Sequence, residues 1–141
     1  MPDASLVTSI NFTFECMAVK DCQVIFSRWN DHTQKYQVYF GAYSNTRSLI
    51  NNNAAHVVDI QTPDIVSGTE FRKFWIRVNG NTIHAGNGNE DTPAIMSYTD
   101  PGAARTYSHV SVATCCNDYG YWKIHSHSQF HEYPNGAYTV P

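Results

Sequence analysis

The segment that most constrains this chain runs from Phe71 to Gly86. Between Phe74 and Val78 apolar and polar residues alternate, so Phe74, Ile76 and Val78 share one face. Asn79-Gly80-Asn81 then supplies a tight turn, and Ile83 and Ala85 resume the alternation. Two period-2 runs around an Asn-Gly predict an antiparallel β-hairpin. Segments rich in Val, Ile, Phe, Tyr and Thr recur between turn residues at 6–18, 21–29, 35–43, 46–51, 56–62, 70–79, 81–86, 94–99, 107–116 and 120–125. No stretch keeps a helical period for three turns. The expected fold is therefore all-β, a two-sheet antiparallel sandwich of jelly-roll type. Its core is expected from Phe12, Phe14, Val24, Phe26, Val38, Phe40, Phe74, Ile76, Val110 and Val112.

At 141 residues, without linker, repeat or low-complexity segment, the chain reads as one domain, 1–141. Nine basic and twelve acidic residues make only 15% of it charged, with a formal charge of -3. Lys and Arg form no cluster, which excludes a phosphate-backbone footprint and makes nucleic acid an unexpected partner. No apolar run approaches the ~20 residues of a membrane span, so no membrane insertion is expected. Met1-Pro2-Asp3-Ala4-Ser5 lacks the basic and apolar regions of a signal peptide. Secretion, or storage for secretion, is still the favoured location. Of the four cysteines, Cys16 and Cys22 flank a turn across which they can pair, and Cys115 and Cys116 are neighbours. Buried free thiols are expected ahead of disulfides. Asn11-Phe12-Thr13 is a glycosylation sequon of a kind common by chance.

If successive strands run up and down, the connections around 42–46, 87–93 and 117–119 emerge at one rim. Tyr43, Asn45 and Arg47 lie on the first, and Asn117, Asp118 and Tyr119 on the third. Amide and carboxylate oxygens beside aromatic faces suit neutral sugars, whose hydroxyls need paired acceptors and whose C–H faces need a ring. These six are the expected carbohydrate-binding residues. Asn87, Asn89, Glu90 and Asp91 on the second connection offer hard oxygen ligands, making Ca2+ a candidate cofactor without EF-hand spacing. His125 and His127 share a strand face and, with His131, form a tract read as exposed tail histidines. A Cys115 or Cys116 nucleophile with His109 or His125 has no local activating group. Trp29, beside Asn30-Asp31-His32, falls at the opposite rim, where it marks a second site or a subunit contact.

Several segments together resemble the farnesoic acid O-methyltransferase domain, a module of arthropods and marine invertebrates. They are Tyr36-Gln37-Val38-Tyr39-Phe40-Gly41-Ala42-Tyr43-Ser44-Asn45-Thr46-Arg47-Ser48-Leu49-Ile50, Glu70-Phe71-Arg72-Lys73-Phe74-Trp75-Ile76-Arg77 and Ile83-His84-Ala85-Gly86. A weaker match runs from Val110 to Tyr121-Trp122-Lys123-Ile124. The resemblance implies a β-sandwich with Trp75 and Trp122 on strands as packing residues. Its name implies an enzyme of farnesoate or a related terpenoid. The residues do not: S-adenosylmethionine chemistry usually rests on an α/β sheet, and Gly86-Asn87-Gly88-Asn89 reads as a turn between strands. The expected function is a non-enzymatic lectin for galactose-type glycans or glycoproteins, acting as a homodimer. A terpenoid O-methyltransferase-related enzyme and a structural oligomerisation module are the alternatives.

Overall fold

In a computed structural model the described residues are 9–28, 35–102, 105–115 and 118–125, with the backbone of 131–132 and 137–139. The strands are β1 (Ser9–Met17), β2 (Cys22–Ser27), β3 (Tyr36–Gly41), β4 (Arg47–Asn52), β5 (Ala55–Gln61) and β6 (Arg72–Asn79). They continue as β7 (Thr82–Asn87), β8 (Met96–Thr99), β9 (His109–Ala113) and β10 (Tyr121–Ile124), then the short β11 (His131–Glu132) and β12 (Ala137–Thr139). One sheet has the order β10-β1-β6-β7-β8 and the other β11-β12-β9-β2-β3-β4-β5. All named pairs are antiparallel. The fold is the expected sandwich, with all ten expected strands and a further pair, β11 and β12. Pairing β1 with β10 and β2 with β9 gives the first-with-last wrapping of a jelly roll; inside these pairs each sheet is a meander.

The alternation explains the layers. Ile10, Phe12, Phe14 and Cys16 of β1 point inward and are buried, while Asn11 faces solvent. The Asn-Gly hairpin forms with Asn79 opposite Thr82 and Gly80 at φ +61, a left-handed angle that glycine adopts without penalty. Phe40 stacks on Phe74 across the sheets at 4.2 Å between centroids, with Phe14 5.6 Å from Phe74 and Trp122 5.5 Å from Phe14. Nine of the ten expected core residues are fully buried, and Val112 packs partly buried against them. Tyr36, Tyr107, Ile10, Ile50 and Ile83 join them. The expectation of free thiols is corrected: Cys16 and Cys22 form a disulfide, S–S 2.02 Å, and Cys115 is disulfide-bonded too. An oxidised pair closes the turn after β1 because the strand ends bring the two Cα atoms to 6.5 Å.

Strand register fixes which connections share an end. Cys22 lies opposite Phe40, Arg47 opposite Gln61, Cys16 opposite Arg72, Phe74 opposite Asn87, Gln23 opposite Ala113 and Met17 opposite Tyr121. The connections 18–21, 42–46, 62–71, 88–95 and 114–120 therefore emerge together at what we call the upper rim. The β2–β3 connection leaves from the lower rim, between Ser27 and Tyr36. Trp29, Asn30, Asp31 and His32 lie outside the described residues.

At the lower rim a buried polar network ties the sheets together. Asp100, just after β8, accepts hydrogen bonds from the Tyr36 hydroxyl of β3, from Asn52 Nδ2 of β4 at 3.2 Å and from the Gly102 amide at 2.8 Å. Arg105 lies 3.7 Å from the same carboxylate, donates to Asn52 Oδ1 at 2.8 Å and sits 4.4 Å above the Tyr36 ring. The Tyr36 hydrogen bond, aided by the Gly102 amide, holds the Asp100 carboxyl below the ordinary carboxylate range. A carboxyl depressed on folding stabilises fully above its unfolded pKa of ~4, and that contribution is lost as pH falls through the folded value. Asp100→Asn is expected to cost about 2–3 kcal/mol in urea unfolding at pH 7, and to blunt the loss of stability that wild type shows below pH ~4.

Candidate functional site

A contiguous patch of exposed large apolar or aromatic side chains is a candidate binding surface. Val19 (57%), Tyr43 (57%), Tyr119 (86%) and Tyr121 (60%) are the exposed ones among the described residues, and all four stand at the upper rim. Beside Tyr43, on the outer face of the seven-stranded sheet, a groove of about 360 Å³ opens. Its floor is Tyr39 and Leu49, opposite each other on β3 and β4, and its sides are Tyr43, Asn51 and His56. Lys20 and Asp21 close the end nearest the rim, with Cys115 alongside.

Tyr43 owes its position to an unusual turn. Gly41 has φ +80, and Tyr43, Ser44 and Asn45 follow at φ +49, +59 and +62 within the single helical turn Ala42–Asn45. Three consecutive non-glycine residues in the left-handed region are costly, and such strain persists only where surrounding contacts over-determine it. Those contacts are identifiable. The Asn45 carboxamide grips Val66 at both ends, Nδ2 donating to its carbonyl at 2.7 Å and Oδ1 accepting its amide at 3.1 Å. The Asn45 carbonyl accepts the Asp64 amide at 3.0 Å, and Thr46 Oγ1 donates to the Tyr43 carbonyl at 2.6 Å. The turn is thereby welded to the 62–71 connection.

A relay then orients the groove's aromatic wall. His56 Nδ1 lies 2.6 Å from Asn51 Oδ1, so Nδ1 carries the proton and Nε2 is left as an acceptor. The Tyr43 hydroxyl, 3.0 Å from Nε2, donates to it. At the other end Lys20 Nζ pairs with Asp118 at 3.5 Å, and Asp118 is held by its own carbonyl accepting from Thr114 Oγ1 at 2.6 Å. The Asp21 amide donates to the Gly41 carbonyl at 2.9 Å, which joins the 18–21 connection to the left-handed turn. Burial pushes the Asp21 carboxyl up, opposed by Lys20 and reinforced by Asp118. Burial, then the Asp21 charge, also raises the Tyr39 phenol.

The residues expected to bind sugar thus divide. Tyr43 lines the groove, while Asp118 reaches its end through Lys20 and Tyr119 stands exposed on the same rim. Asn45 has its side-chain amide engaged by Val66, and Arg47 pairs with Asp59 across β4 and β5. Asn117 lies outside the described residues. Sequence reading missed Tyr39, Asn51 and His56, which are outward-facing strand residues. The available signal was an aromatic and a leucine, Tyr39 and Leu49, on a face where alternation calls for polar residues.

On the second connection, Thr92 Oγ1 donates to the Asn87 and Asn89 carbonyls at 3.1 and 2.6 Å, and it accepts Trp75 Nε1 at 3.0 Å. Glu90, Asp91 and Asn89 flank a second depression with Lys73 and His125. Among the described residues no three His, Cys, Asp or Glu are grouped to hold a metal ion. His125 pairs with Glu15 at 2.7 Å; His127 lies outside the described residues, as does the side chain of His131. His109 sits at the lower rim opposite Ser27, remote from Cys115, whose sulfur is oxidised, so the Cys115–His109 nucleophile is not assembled. Cys116 lies outside the described residues.

These features define an all-β sandwich module with one aromatic, polar rim. The family model described as farnesoic acid O-methyl transferase matches residues 2–128, and the chain belongs to that family. Comparison with curated proteins and with solved structures found no match. The residues most like a nucleotide-cofactor loop do not fit one. A Cβ on Gly86 would lie 2.4 Å from Trp75 Nε1, so that glycine serves the indole's packing. The Gly88 amide donates to the Lys73 carbonyl at 2.7 Å, so it is not free to hold an anion. Among the described residues no helix is long and apolar enough to cross a membrane.

Since Asn45 holds the turn by two buried-side hydrogen bonds, Asn45→Ala is expected to cost about 2–4 kcal/mol: ~1–3 for the lost pair and ~1 for alanine at a left-handed angle. Urea unfolding of the variant measures it.

Proposed function

We propose that this protein is a non-catalytic carbohydrate-binding module whose site is the Tyr43 groove at the upper rim. The observation that carries the reading is the gathering of the exposed large side chains, Val19, Tyr43, Tyr119 and Tyr121, on that one rim. A pyranose offers a C–H face for aromatic rings and hydroxyls for carboxamide, imidazole and carboxylate groups. Tyr39 and Tyr43 supply the rings, Asn51 and Asp21 supply the polar partners, and His56 orients Tyr43. A volume of about 360 Å³ suits one or two sugar units. Galactose is the preferred class, because its axial 4-hydroxyl leaves one flat C–H face. Single sites of this kind bind weakly, and a homodimer would set two rims against one glycosylated surface. On a glycan array, Tyr43→Ala is expected to weaken galactoside binding about tenfold or more, a loss of ~1.4 kcal/mol. Binding of Tyr43→Ala within about twofold of wild type would overturn the assignment.

Calcium is the second element of the reading to test. Thr92's grip on two carbonyls of the 87–91 segment favours a rim that holds sugar by neutral hydrogen bonds. Excess EDTA is therefore expected to leave glycan binding and the melting temperature unchanged. A joint fall of both would instead assign Asn87, Asn89, Glu90 and Asp91 to an ion that stabilises the native state.

The family description favours one competing reading, methyl transfer to a terpenoid acid. Turnover of farnesoate by the wild-type protein would replace the lectin reading with that one.

A further inference from the structure

The charges at the groove's end do not balance. Lys20 pairs with Asp118 at 3.5 Å, which leaves Asp21 as the second carboxylate beside one ammonium. Among the described residues none donates a hydrogen bond to the Asp21 side chain. Its backbone is held at φ +55, a strained angle for a residue with a side chain, and its amide is fixed to Gly41 at 2.9 Å. A carboxylate lining an open groove is available to a cationic ligand, whose ammonium group would make a charge-assisted hydrogen bond with it.

The surroundings suit such a ligand. Tyr39 forms the floor beside Asp21 and Tyr43 the wall, and ring faces attract an ammonium group. Of the other titratable groups lining the groove, Lys20 has Asp118 as its ion-pair partner, and His56 meets the Tyr43 hydroxyl through Nε2 and Asn51 through Nδ1.

Resting on the carbohydrate reading above, we propose that the groove selects a sugar carrying a free protonated amine, a 2-amino-2-deoxyhexose unit, with Asp21 taking the ammonium group. N-acetylation removes that charge, and a plain hydroxyl at the same carbon never carries it. Asp21 is then the specificity-determining residue, while Tyr43 and Tyr39 serve every sugar that enters.

The test is a titration of isotopically labelled protein at pH 7 with galactosamine, N-acetylgalactosamine and galactose, following the Tyr43 and His56 signals. Galactosamine is expected to bind about fivefold or more tightly than the other two, from one carboxylate contact and one cation–π contact. Asp21→Asn should abolish the preference, so that the variant binds galactosamine no more tightly than it binds galactose. Asparagine tolerates the left-handed angle, so this variant keeps its fold. Equal affinity for galactosamine and galactose, or preference for the acetylated sugar, overturns the amine assignment and leaves the carbohydrate reading standing. If none of the three sugars moves the groove signals, both are overturned.

Discussion

The stack of Phe40 on Phe74, with Phe14 and Trp122 packed around it, is the contact on which the rest of the molecule hangs. Among the described residues it is the shortest ring-to-ring contact between the two sheets, 4.2 Å between centroids, just below the upper rim. Phe40 is the last residue but one of β3 and Phe74 is the third of β6, so each is followed or preceded within a few residues by a rim connection. Fixing these rings fixes where Gly41 ends β3 and where Arg72 begins β6. The distance between the left-handed turn and the 62–71 connection is thereby set, and only at that distance can Asn45 reach Val66. Val66 also packs its methyl groups where a Cβ on Gly41 would stand, at 2.5 Å, so only glycine fits at the start of the turn.

The two ends of the sandwich are built on opposite principles. At the lower rim, Asp100, Tyr36, Asn52 and Arg105 satisfy one another in a network that spans both sheets, while the buried Tyr107 hydroxyl beside Tyr36 has no hydrogen-bond partner among the described residues. Such a network is strong while complete, because every missing partner leaves a desolvated group behind. At the upper rim, polar and aromatic groups face outward, and their mutual contacts orient them without burying them. Tyr43 is held by His56 and Thr46 yet remains more than half exposed. Sequestered polarity belongs to stability, and the presented polarity forms the candidate site. The Cys16–Cys22 disulfide serves the presenting end, since it closes the connection that carries Lys20 and Asp21.

Much of the fold was legible in the sequence because period-2 alternation needs no long-range information. Phe12, Phe14, Val24, Phe26 and Phe74 reveal their inward faces from their immediate neighbours, and counting strands then places the turns at one rim or the other. The candidate site was legible only as a rim. An asparagine in a turn looks the same whether its amide meets a ligand or a backbone 21 residues away, as Asn45 meets Val66. Arg47 offers no hint of its pairing with Asp59, which depends on the β4–β5 register. His56 reaches Asn51 because the register shifts between Ile50 and Asn51, an irregularity that alternation cannot signal. The cysteines failed for a simpler reason. Composition sets no compartment, and only the strand ends show that Cys16 and Cys22 are within bonding distance.

Family membership and the geometry of the rim can be reconciled through what the shared residues do. The matching segments Tyr36–Ile50 and Glu70–Arg77 contain the ring stack, the left-handed turn, and Trp75 against Gly86. These are scaffold features: they set sheet spacing, turn geometry and the seat of the 88–95 connection. The first segment also carries Tyr39, Tyr43 and Leu49 of the groove, which Lys20, Asp21, Asn51 and His56 complete from outside both segments. A fold fixes where a site can be, while the chemistry of a site is argued from its own side chains. Family membership thus accounts for the platform, and the side chains around Tyr43 define the candidate site on it.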